Sequence, residues 1–362
     1  MNKKVLIIAI VAVVVVLAVV LGVALAGNSS DPTTTTTTTT GGSNPPALST
    51  YKLGMGAVAG GHNATQTNLT VATVVTDKDG KIVACRLDVA QNKYKIEDEE
   101  VVFTVLDTKM ELGDAYGMAG KVDNNSDGVM KEWYEQAKAF ETFVVGKTAA
   151  EVEAMTTQFV NNHNISNDEA LLNAGCTVDI VDFKAAVVKA CRDEQGVTFE
   201  TDKTFTLGLG INSANDGSSC EDEENYTVKL NVEFAAAVVI DGKVVATVND
   251  AYQPNVIIVD GEVEKATVGT FNKDGVEDLG FMTKRELKET YGMEIAAIDK
   301  NGDGKSYEWY VQSEIYSEYV VGKTGTEIAG LFTAGDDLLA AGCTIYIGGI
   351  STVVAESVTN AR

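Results

Sequence analysis

The chain has 362 residues, 45% of them hydrophobic, and a formal charge of −24. It is long and apolar enough to bury a core, and its acidity argues against nucleic acid or anionic lipid heads as partners. Its five cysteines are too few and too scattered for a disulfide framework.

Lys3 and Lys4 precede an uninterrupted apolar run from Val5 to Ala26. As a helix this run rises about 33 Å, at roughly 1.5 Å per residue, enough to cross a bilayer core. Residues 1–27 therefore read as a transmembrane anchor, with the lysines in the cytoplasm and the rest outside. Ala24-Leu25-Ala26 also has the small-x-small form that signal peptidases accept, so cleavage stands as the alternative. Residues 28–50 come next, with eight consecutive threonines (Thr33 to Thr40), Gly41-Gly42-Ser43 and Pro45-Pro46. Such a segment has no apolar surface to bury and reads as a solvated stalk. Residues 1–50 contribute +1 (Lys3, Lys4, Asp31), leaving −25 on the exported part. That charge suits solubility at a cell surface.

From residue 51 the chain repeats itself in order. Leu53-Gly54-Met55-Gly56 returns as Leu207-Gly208-Leu209-Gly210, and Asp79-Gly80-Lys81 as Asp241-Gly242-Lys243. Asp88 and Gln91 return as Asp250 and Gln253, and Lys109-Met110-Glu111-Leu112 as Lys284-Arg285-Glu286-Leu287. Glu132-Trp133-Tyr134 matches Glu308-Trp309-Tyr310, and Ala174-Gly175-Cys176-Thr177 matches Ala341-Gly342-Cys343-Thr344. Residues 51–195 and 196–362 are read as two copies of one domain, each long enough for its own core. Runs of β-branched residues flank Asp-Gly turns at 77–80 and 241–242, which predicts a hairpin in each copy. Trp133, Ala137, Phe140 and Val144 share one helical face, as do Phe183, Ala186, Val187 and Ala190. Ile350, Val353, Val354 and Ser357 repeat the second stripe. Hairpins rather than β-α-β units open each copy, so the class is α+β: two tandem copies of an antiparallel sheet packed with helices, after the N-terminal transmembrane helix.

Asp123-Asn124-Asn125-Ser126-Asp127-Gly128 and Asp299-Lys300-Asn301-Gly302-Asp303-Gly304 have the form that opens a calcium loop. The acid of a full EF-hand would stand at the twelfth position, but here it comes tenth, as Glu132 and Glu308. The expected metal ligands are Asp123, Asn125, Asp127 and Glu132 in one copy and Asp299, Asn301, Asp303 and Glu308 in the other. The competing reading is a turn that caps the tryptophan-bearing helix. Lys131 makes the first copy the weaker calcium candidate. Gly146-Lys147-Thr148 and Gly322-Lys323-Thr324 lack the earlier glycine of a phosphate-binding loop. The two histidines, His62 and His163, do not recur, which rules out a duplicated Ser-His-Asp or Cys-His centre.

The hairpin with its Asp-Lys-Asp-Gly-Lys turn, and Ala-Gly-Cys-Thr before the last helix, resemble the FMN-binding domain family of exported proteins, in its tandem surface-protein branch. In that family a Ser/Thr-Gly-Ala-Thr-x-Ser/Thr motif precedes the last helix, and its threonine can carry FMN through a phosphoester. The resemblance implies that Thr177 and Thr344 stand at that threonine and Gly175 and Gly342 at the motif's glycine. Ala174, Cys176 and Asp179 depart from it in the first copy, and Ala341, Cys343 and Tyr346 in the second. The resemblance implies a membrane-anchored cell-surface protein that binds FMN and transfers electrons with an extracytoplasmic redox partner. The alternative is a non-enzymatic surface protein that binds a ligand or partner and keeps the fold without flavin. Neither reading makes the chain a catalyst.

Overall fold

A computed structural model describes residues 48–119, 128, 130–270, 281–294 and 306–362. The apolar run at 5–26 and most of the threonine-rich segment lie outside these residues, as do Asp123, Asn125, Asp127, Asp299, Asn301 and Asp303. Among the described residues no helix is long and apolar enough to cross a membrane.

The first repeat opens with an antiparallel meander of β1 (Ser49–Asn63), β2 (Gln66–Asp77), β3 (Ile82–Glu97) and β4 (Glu100–Val105). Next along the chain are α1 (Lys109–Leu112) with a 3-10 turn (Gly113–Tyr116), α2 (Trp133–Val144) and α3 (Ala149–Glu153). A small hairpin of β5 (Thr157–Val160) and β6 (His163–Ser166), then α4 (Glu169–Asn173) and α5 (Val181–Cys191), complete it. β7 (Val197–Thr201) lies past residue 195, yet it pairs with β1 and forms the edge of the first sheet.

The second repeat runs β8 (Thr206–Asn215), β9 (Ser219–Cys220), β10 (Tyr226–Ile240), β11 (Lys243–Tyr252), β12 (Pro254–Val259) and β13 (Glu262–Val268). Then come α6 (Lys284–Leu287) with its 3-10 turn (Lys288–Tyr291), α7 (Trp309–Val320), α8 (Gly325–Ala329), α9 (Asp336–Ala341) and α10 (Gly348–Thr359). β10 is the long central strand, paired antiparallel with β8, β11 and β12. The chain is thus a mixed α+β structure of antiparallel sheets and helices, and the expected hairpins and helical faces are present.

The Leu-Gly-x-Gly motifs have a packing cause. The closing helix of each repeat lies directly on the first strand: a Cβ on Gly54 would stand 2.1 Å from the Ala190 carbonyl oxygen, and one on Gly208 1.7 Å from that of Ser357. Only a residue without a side chain permits that approach. The Gly-Lys-Thr motifs are helix starts. Thr148 and Thr324 form capping boxes with Glu151 and Glu327. Gly146 and Gly322 donate backbone N–H bonds to Ile82 and Val244 beside the Asp-Gly turns, which pins the hairpin to the helical layer.

Residues 46–362 form one compact unit. One apolar cluster holds Val74, Leu87, Trp133, Phe140, Phe183 and Val187, all of the first repeat. The larger cluster crosses between repeats, joining Leu53, Val71 and Tyr94 to Leu207, Phe234 and Tyr252. His62 Nε2 lies 2.8 Å from the Tyr252 hydroxyl across the same boundary, and burial pushes this imidazole down to about 4. Cys176 and Cys343 are fully buried, and all five cysteines are free.

Candidate functional site

The repeated polar residues first build a frame. Asp88 on β3 accepts N–H bonds from Val89 (2.7 Å) and Met110 (3.0 Å), so it reaches the amino end of α1. Asp250 does the same with Ala251 (2.7 Å) and Arg285 (3.0 Å) at α6. Burial pushes these carboxyls up, to about 7 and about 6. Thr108 and Thr283 close capping boxes on the same helices, which satisfies amides that helix starts leave unpaired. These short helices carry Lys109 and Lys284. Each ammonium sits over two rings: Lys109 lies 5.0 Å from the Tyr116 centroid and 5.3 Å from Trp133. Lys284 lies 5.3 Å from Tyr291 and 5.2 Å from Trp309. Burial lowers both lysines to about 8.

The threonines picked out by the motif stand beside this frame. Gly175 and Gly342 take left-handed backbone angles (φ 85° and 99°) and turn the chain out of α4 and α9. Thr177 then gives its N–H to Gln136 Oε1 at 2.8 Å, with its hydroxyl 3.3 Å from the same oxygen. Thr344 repeats this with Gln312 at 2.7 and 3.2 Å. Thr177 is buried (3% exposed). The glutamines, three residues after each tryptophan, are positioning groups that motif reading passed over. Their recurrence at one spacing was the signal.

In the first repeat these groups line a cleft of about 350 Å³, bounded by Trp133, Phe183, Tyr116, Lys109, Thr177 and Asp182. Trp133 and Phe183 meet edge to face at 5.7 Å, which gives the cleft a rigid aromatic wall. Its size and mixed apolar and polar lining are those of a small-molecule site. His163 and Asp179 also border it. Asp179 accepts N–H bonds from Val181 and Asn164, both at 2.9 Å, so a carboxylate already occupies the amino end of α5. Partial desolvation pushes the neighbouring Asp182 carboxyl up, with Asp179 adding to that and Lys109 opposing it.

FMN fits this cleft in part. The aromatic wall and the volume suit a flavin ring. The phosphate does not fit, because Asp179 and Asp182 bring two carboxylates to the helix end where an anion would bind, against the single lysine. A phosphoester on Thr177 would also have to displace its bond to Gln136.

The metal residues divide. Glu132 and Glu308 precede α2 and α7, and each carboxylate accepts two backbone N–H bonds: Met118 and Ala119 (both 2.9 Å), and Met293 and Glu294 (3.0 and 3.1 Å). Both oxygens thus tie down the chain before the loop. The other six expected ligands lie outside the described residues. Among the described residues no cluster of three or more His, Cys, Asp or Glu has metal-holding geometry.

No family model matches the chain, and no solved structure matches it. It is similar to a chlorophenol reductase of Desulfitobacterium hafniense, 33% identical over 101 residues, which are 24% of this chain. The match spans 29% of that protein's length, under a third.

Proposed function

We propose that this chain is a membrane-anchored, extracytoplasmic binding protein of two FMN-binding-like repeats, in which the first repeat holds a planar aromatic ligand of the flavin kind. The observation that carries the reading is the cleft: it gathers Thr177, Lys109, Trp133 and Tyr116, all repeated positions, around one cavity. A flavin ring held there would supply one- and two-electron chemistry, and a redox partner outside the membrane would draw on it. The reductase named above supports that direction through its printed activity. On this reading the site serves as a carrier or receptor for that ligand.

Protein purified from its native host should carry flavin absorbance, and its intact mass should show whether an FMN-sized adduct maps to Thr177 or Thr344. Protease added to intact cells should release the part after residue 50 and leave the N-terminal segment with the membrane. The second reading, a surface protein that has kept the fold without flavin, is favoured by the carboxylates at the end of α5. Colourless protein of unmodified mass that binds no added riboflavin or FMN would leave that reading standing.

A further inference from the structure

Thr70 and Glu233 hold the same place in the two sheets. Each pairs with the residue directly after the capping aspartate, Thr70 with Val89 and Glu233 with Ala251. Asp182 and Gly349 likewise stand second in the closing helices α5 and α10. Between the repeats the carboxylate has changed sides, from the helix in the first to the strand in the second. The space it fills is nearly the same: Glu233 Oε2 lies 1.8 Å from where a Cβ on Gly349 would stand. Both carboxyls are pushed up by desolvation and pulled back by the repeat's own buried lysine, Lys109 or Lys284. In both repeats a carboxylate therefore stands at nearly the same point beside the closing helix, facing that repeat's buried lysine.

We infer that this carboxylate is a built-in counter-ion at the amino end of the closing helix, standing where a ligand phosphate would otherwise bind. The first repeat's cleft therefore selects a planar aromatic ligand without an anionic tail, riboflavin rather than FMN. This rests on the ligand-binding reading above. The helix end and Lys109 offer positive potential, but Asp179 and Asp182 already consume it, and a phosphate dianion brought there meets like charge. An uncharged ribityl tail meets no such barrier and can donate hydroxyls to the same carboxylates.

The test is a fluorescence titration of residues 46–362 with riboflavin and with FMN. Riboflavin should bind at least tenfold more tightly. Added salt should strengthen FMN binding by screening the repulsion and leave riboflavin unchanged. Asp182→Asn, at an exposed position, should raise FMN affinity severalfold relative to riboflavin, with little effect on the melting temperature. FMN binding as tight as riboflavin, or a preference that Asp182→Asn and salt leave untouched, overturns the counter-ion. Failure of both ligands to bind overturns the ligand-binding reading, and this inference with it.

Discussion

Lys189 in the first repeat and Glu356 in the second occupy one position on the closing helix, each beside the glycine of the first strand, and each faces the other repeat. Lys189 pairs with Glu286 at 2.7 Å and donates to the Ala57 carbonyl. Glu356 faces Glu111, the counterpart of Glu286, with Asp88 behind it, and is pushed up to about 7 by burial and those two acids. The neighbours differ as well. Beside Lys189, buried Arg285 meets Asp193 at 3.2 Å and Gln195 O at 2.8 Å. Beside Glu356, the carboxylate of Glu141 takes Arg362 at 2.9 Å and Arg86 at 3.6 Å. Duplication supplied two equivalent junctions, both with a buried carboxylate–arginine pair; substitution gave the first a Lys189–Glu286 pair and the second the facing acids Glu356 and Glu111. Identical folds can thus respond differently to pH and to truncation.

The largest expected effect breaks the first junction. Arg285→Met copies the residue of the first repeat, Met110, and leaves Asp193 buried without its cation, which costs about 3–5 kcal/mol by the usual penalty for such a group. Chemical denaturation should show it as a lower midpoint with unchanged slope. Deleting Arg362, which is largely exposed, should cost about 1 kcal/mol or less. Equal losses from the two changes would show that the junctions are alike after all.

Packing is expected to be the same in both repeats. Gly54→Val and Gly208→Val each drive a side chain into a helix carbonyl, at a cost of about 3 kcal/mol by the measured range for overpacking. Circular dichroism melts should fall in both variants. A melt unchanged in either one would separate the repeats where the structure makes them alike.

The pH response sharpens the contrast. Glu356 ordinarily titrates near 4.5 and is raised to about 7 in the fold. Its contribution is therefore complete below about pH 4.5 and is lost as pH rises through 7. With allowance for its partial exposure this amounts to about 1–2 kcal/mol between pH 5 and 8. Asp88 acts in the same sense. Glu356→Gln should flatten the fall in melting temperature across that window, whereas Glu356→Lys should supply the second junction with the pair the first one has. A pH profile that Glu356→Gln leaves unaltered would remove the acid-rich junction as the cause.

Calcium gives the smallest effect. The loop with Asp299, Asn301 and Asp303 has a tyrosine, Tyr307, where the first copy has Lys131. Millimolar calcium should stabilise through the second loop by about 1 kcal/mol at a few-fold excess over the dissociation constant. Asp303→Ala should remove that increment and Asp127→Ala should not. If neither variant changes the melt in calcium, both loops are turns.

Much of this architecture was written in the chain because it is local or periodic. The hairpins arise from β-branched runs around Asp-Gly turns, and the stripes of α2, α5 and α10 from apolar spacing. The duplication is evident from order alone. Thr177, which the resemblance singles out, borders the cleft, but what surrounds that threonine was not legible. Gln136 lies 41 residues away in the chain, and Lys109 meets Trp133 only once α1 and α2 have packed. Sequence also drew a boundary at residue 195, whereas β7, which lies past it, pairs back to β1 and completes the first sheet, because an edge strand pairs with whichever partner folding brings to it. The exchange of a carboxylate between Asp182 and Glu233 is invisible in any alignment column, since neither position is alike in the two copies. Spacing determines what one element buries. Which charges meet across elements depends on distances that only the folded chain sets, because electrostatic energy falls with separation in space and not along the sequence.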